Sequence, residues 1–149
     1  MNWNKDKSIL LSLICMSIFS VALAALDIGC YWAVSWFVQL RGLNRETVWY
    51  FIATVFGCSV FAWPLLWHLW RLLGSIKRGE VFTKENVRSL RAVSWCCVGA
   101  ALLCAVSAFY YPSFLLVAVA AGFMSLIVRI VKNVFQQAIA MQSELDLTI

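Results

Sequence analysis

The side chains here that could do chemistry are few and widely spaced. A nucleophilic enzyme needs a serine or cysteine beside a base, and this 149-residue chain has one histidine, His68, and six cysteines. Those cysteines, Cys15, Cys30, Cys58, Cys96, Cys97 and Cys104, all lie in or beside apolar runs. None forms a C-x-x-C pair or stands at zinc-ligand spacing from the histidine, so buried free thiols are expected. The neighbours Cys96 and Cys97 would point to different sides of a helix. A phosphate loop of the G-x-x-x-x-G-K-[ST] kind is absent. The expectation is a non-enzymatic protein with no catalytic residue, no cofactor and no metal site.

Asp27 is the acid set inside an apolar run. A charge at the bilayer centre costs about 2.5–3.5 kcal/mol on insertion scales. The sequence reading therefore puts Asp27 near the outer headgroups, solvated or paired with Arg45. The alternative is a deep intramembrane acid serving a small transporter or channel subunit. His68 reads as an interfacial polar residue, because one acid and one histidine on different spans make a poor proton pathway.

Composition sets the elements that carry these residues. With 63% hydrophobic and 13% charged residues and a mean hydropathy of +0.84, the chain lies far from the roughly one-quarter charged content of soluble domains. The bilayer must be its solvent. A spanning helix needs about 20 mainly apolar residues, and four such stretches occur, at about 8–38, 48–73, 92–109 and 114–134. Aromatics at their ends mark interfaces, and Pro64 within the second predicts a local kink. The short turn at Tyr111, Pro112 and Ser113 makes the last two spans antiparallel neighbours. Small-residue pairs at four-residue spacing, Ala25 and Gly29, Ala101 and Ala105, Ala118 and Gly122, would permit close helix approach.

The longest polar interval, 74–91, separates the two span pairs. Thr83 is placed to cap a helix from Lys84, with Phe82 and Val87 as a hydrophobic staple and Glu85 in the first turn. The capping box is incomplete because Asn86 stands where glutamate or glutamine is usual. This helix is expected to run on into the third span.

Twelve basic residues give a formal charge of +5. They sit at the ends of apolar runs, which explains them by membrane topology without direct nucleic-acid binding. Arg71, Lys77, Arg78, Lys84, Arg88 and Arg91 flank or occupy the middle loop, Lys5 and Lys7 the amino end, and Arg129 and Lys132 the carboxyl end. The opposite side holds Arg41 and Arg45. By the positive-inside rule both termini and the loop are cytoplasmic. The fold class is thus all-α, one four-helix membrane domain over 1–149 with a cytoplasmic tail at 135–149. A cleavable signal peptide ending near Ala22-Leu23-Ala24 is the competing reading of the first span. It would remove one span and leave the others oriented the same way.

The loop Gly79-Glu80-Val81-Phe82-Thr83-Lys84-Glu85-Asn86-Val87-Arg88-Ser89-Leu90-Arg91, the segment Val128 to Phe135 and the ending Glu144-Leu145-Asp146-Leu147-Thr148-Ile149 resemble the small bacterial membrane family known as domain of unknown function 2975. The resemblance implies a four-span protein of the bacterial cell membrane, often encoded beside a small helix-turn-helix regulator, and supplies no activity. On this reading Gly79, Phe82, Thr83, Lys84, Glu85, Asn86, Val87, Arg88, Leu90 and Arg91, with Glu144, Asp146, Leu147 and Ile149 of the tail, form a surface for a cytosolic partner. The tail is expected to fold back onto the basic loop. Lys77, Arg78, Arg129 and Lys132 are expected to meet lipid headgroups. The partners admitted are membrane lipids, a helix-turn-helix regulator and a second copy of the chain.

Overall fold

The computed structural model describes residues 3–148, and side chains from Asp6 onward; the Lys5 side chain and Ile149 therefore lie outside the described residues. The amino-terminal apolar run forms α1 (Trp3–Ile28) and α2 (Cys30–Leu40). Gly29 still donates to the Ala25 carbonyl at 2.9 Å and accepts from Ala33 at 2.9 Å. Its own dihedrals, φ −91° and ψ 10°, depart from the helix. The single span expected over 8–38 is therefore two helical pieces joined at a one-residue bend, a conformation that costs glycine little.

Helix α3 (Thr47–Lys77) runs through Pro64 without interruption, α4 covers Lys84–Ser107, and α5 covers Phe114–Thr148. The expected helix start at Lys84 is present, with the Thr83 hydroxyl accepting from the Asn86 amide at 3.3 Å. Both α2 and α3 end in the same way. Gly42 (φ 63°) and Gly79 (φ 81°) take left-handed backbone. Their amides and those of Leu43 and Glu80 return to Gln39, Ile76, Val38 and Ser75 carbonyls at 3.0–3.2 Å. Those paired bonds satisfy the last carbonyls of each helix.

The helices lie in a row rather than in a closed bundle. Helix α5 packs on α4, α4 on α3, and α3 on both α1 and α2, and at the start of α5 Phe114 also reaches Phe51 of α3. Lipid tails solvate apolar side chains as well as other helices do, so nothing forces the row to close. Short side chains set the close approaches. A Cβ at Gly99 would sit 2.5 Å from the Phe61 ring, and one at Gly57 would sit 2.5 Å from Leu103. These glycines mark the α3–α4 contact, which the small pairs named from the sequence do not.

Buried hydroxyls tie the row together. Thr54 Oγ1 of α3 bonds Ser107 Oγ at 2.8 Å and the Tyr110 hydroxyl at 2.5 Å. Between α4 and α5, Ser94 and Ser125 hydroxyls lie 3.1 Å apart. At the end bearing the two short turns, Cys30, Val34, Val38, Val48 and Phe51 form the core. Rings of Phe37, Tyr110, Tyr111 and Phe114 close over Phe51 at centroid distances of 5.3–5.6 Å for Phe37, Tyr110, Tyr111 and Phe114. The other end carries the 78–83 loop and most of the basic residues.

Candidate functional site

Asn86 organises the loop. It is 1% exposed, and its Nδ2 donates to the carbonyls of Glu80 at 2.9 Å and Val81 at 2.8 Å. The residue that leaves the capping box incomplete thus fastens the preceding loop to the first turn of α4. Val87, Ser89 and Leu90 are buried on the same helix. Phe82, 48% exposed, stacks edge-on against Phe135 of α5 at 5.3 Å.

Several expectations change at this point. Asn86, Val87 and Leu90 were expected at a partner surface, but they hold the loop in place and are closed to a partner. Gly79, Phe82, Lys84, Glu85, Arg88 and Arg91 remain exposed, and Thr83 is half-buried. Arg71 pairs with Glu85 at 3.3 Å and Arg78 with Glu80 at 3.8 Å at this end. All four side chains are well exposed, so each pair is worth only about 0–1 kcal/mol. Lys77 is exposed beside Arg78.

The tail does not fold back. Helix α5 continues through Glu144, Leu145, Asp146 and Leu147 with every side chain from Met141 to Thr148 exposed. The segment after Lys132 contains no glycine or proline to stop a helix, so the backbone carries the acids away from the loop. Arg129 is exposed and Lys132 half-buried; both line one recess with Arg91.

Asp27 is half-buried at the end of α1, and its partners lie on α3. Ser59 Oγ donates to Oδ1 at 2.5 Å, and Trp63 Nε1 donates to Oδ2 at 3.0 Å. These two residues lie about 18 and 24 Å along α3 from Thr47, near the helix midpoint. The expected pairing with Arg45 is therefore corrected: Asp27, at the far end of α1, is held by two side chains near the middle of α3. Its charge or polarity is met by two donors on the neighbouring helix. Below this contact α1 stands off α3, leaving an apolar recess of about 620 Å³ lined by Leu11, Cys15, Phe19, Leu66 and Leu69 among others.

Sequence reasoning missed Ser59 and Trp63. The available signal was a hydroxyl and an indole spaced four apart, hence on one face of an apolar helix. His68 Nδ1 is buried and has no hydrogen-bond partner, and Asp27 bonds to neither His68 nor any cation. The thiols of Cys58 and Cys104 lie 3.7 Å apart across the α3–α4 contact, a pairing invisible in their spacing. Among the described residues no three histidine, cysteine, aspartate or glutamate side chains converge as metal ligands would.

Four helices are long and apolar enough to cross a membrane, and the described chain is otherwise helical with short connections. That defines an all-helical, multi-pass membrane protein. Over residues 7–149 the chain matches the family described as "Protein of unknown function (DUF2975)", and it belongs to that family. No curated protein and no solved structure matches it.

Proposed function

We propose that this protein is a non-enzymatic module of the bacterial cell membrane whose basic end faces the cytosol and docks an acidic cytosolic protein. The observation that carries the reading is the Asn86 clamp. It holds the 79–83 loop against α4 while Lys84 and Arg88, one turn apart, stay exposed beside Phe82. A surface ordered before binding loses less entropy on association, and spaced cations steer an acidic partner. A small helix-turn-helix regulator, of the kind the family resemblance implies, fits this role.

The test is purification of the full chain from native membranes in mild detergent, against Phe82→Ala/Lys84→Ala/Arg88→Ala. Leu90 is left alone because it is buried. An acidic cytosolic protein enriched with the parent chain and lost with the variant, at equal membrane yield, is the expected result. Equal recovery of every soluble protein from both would refute the docking surface.

A second reading rests on Asp27, whose carboxylate is presented to Ser59 and Trp63 near the midpoint of α3. Intramembrane acids commonly mark ion or proton paths, and on this reading the chain is a small transporter or channel subunit. Proton or cation flux in proteoliposomes that Asp27→Asn abolishes would support it; absence of flux through the parent chain would remove it.

A further inference from the structure

The α4–α5 seam carries a feature that the docking reading does not use. Arg91 and Trp95 of α4 and Arg129 and Lys132 of α5 line a recess of about 330 Å³. Three cations thus meet around one volume, and neither the Arg71–Glu85 nor the Arg78–Glu80 pair involves any of them. Converging like charges repel unless an anion lies between them. Arg129 and Lys132 stand about 22 and 27 Å along α5 from Phe114. At that depth a hydrocarbon core of about 30 Å gives way to headgroups. Trp95, 61% exposed, is the aromatic type favoured at this boundary.

The same two helix stripes continue away from the recess. Beyond Arg129, which lines both spaces, the seam opens into an apolar groove of about 510 Å³. Ala101 and Ala105 of α4 and Ala118 and Gly122 of α5 form part of its walls. A side-chain carbon built at Gly122 meets no atom within 4 Å, so this glycine leaves room in the groove. From Val98 to Ala105 the groove runs about 10 Å along α4, within the roughly 15 Å depth of one leaflet's hydrocarbon.

We propose that this seam binds one anionic phospholipid, its phosphate between Arg91, Arg129 and Lys132 and one acyl chain in the groove beside Gly122. A soluble phosphate compound would occupy the recess alone; the groove joined to it, pointing into the hydrocarbon, selects lipid. Lys77 at the end of α3 and Arg78 after it do not line the recess and take no part. The inference is independent of the docking surface, since it uses neither Lys84 nor Arg88.

The full chain, reconstituted with equal phosphatidylglycerol and phosphatidylethanolamine, is released into the gas phase and its retained lipid weighed by native mass spectrometry. The parent chain retains one phosphatidylglycerol. Arg91→Gln/Arg129→Gln lowers that retention about tenfold or more, while Lys77→Gln/Arg78→Gln leaves it unchanged. Gly122→Leu fills open space without removing a contact, and it also lowers retention. That variant keeps the test decisive if the charge variant fails to fold. Equal retention of the two lipids, or retention unmoved by both Arg91→Gln/Arg129→Gln and Gly122→Leu, overturns the proposal. So does displacement of the lipid by millimolar glycerophosphoglycerol equally from the parent and Gly122→Leu chains, which would mark a soluble-anion site.

Discussion

Asn86 stands at the third position of α4, and its short amide reaches back to the carbonyls of Glu80 and Val81. Removing the amide leaves two loop carbonyls without those donors and a small void at a site that is 1% exposed. An unsatisfied buried polar group costs about 1–3 kcal/mol. Asn86→Ala is therefore expected to lower the thermal midpoint and speed proteolysis at 79–83; unchanged proteolysis would show that the amide does not restrain the loop. Sequence reading found the cap at Thr83 because an N-cap acts within one helical turn. It took Asn86 for a defect, since its true partners depend on how the loop turns after Gly79. Asp27 shows the same limit. Its partners, Ser59 and Trp63, are distant along the chain and meet it only once α1 lies against α3.

At the scale of elements, apolar length and interfacial aromatics made four spans legible, as did the positions of the short turns. The bend at Gly29 was not, because its hydrogen-bond ladder continues on both sides and only one residue's dihedrals change. Nor was the course of the tail: opposite charge suggested a return to the loop, but a helix with no glycine or proline to stop it prevailed over exposed ion pairs of small value. The helix register offers a direct check. Cys58 and Cys104 Sγ atoms are 3.7 Å apart, and a disulfide needs about 2.05 Å, so modest side-chain motion suffices. Treatment with a membrane-permeant oxidant is expected to consume both thiols and give a 58–104 linked peptide. Preferential linkage of Cys58 to Cys96 or Cys97 would contradict the α3–α4 register. The glycines behind this contact, Gly57 and Gly99, could not be told from others by sequence, since their role appears only with Leu103 and Phe61 facing them.

For the whole molecule, the open row has consequences that a closed bundle would not. Among the described residues helix α1 packs on α2 and α3, and the Ser59 and Trp63 bonds to Asp27 give it a polar attachment to α3. At the far edge, α5 has 35 residues, about 52 Å of helix against a hydrocarbon core of about 30 Å, so its last turns extend well past the membrane. The antiparallel row places that extension, the start of α1 and the 78–83 loop at one end. The docking proposal requires this end to be cytosolic, as its excess of lysine and arginine favours. Cysteine-free chains carrying Arg88→Cys or Arg45→Cys, exposed to a membrane-impermeant maleimide, test that most directly. In intact cells Arg45→Cys is expected to label and Arg88→Cys to label only after permeabilisation; labelling of Arg88→Cys in intact cells would contradict the account.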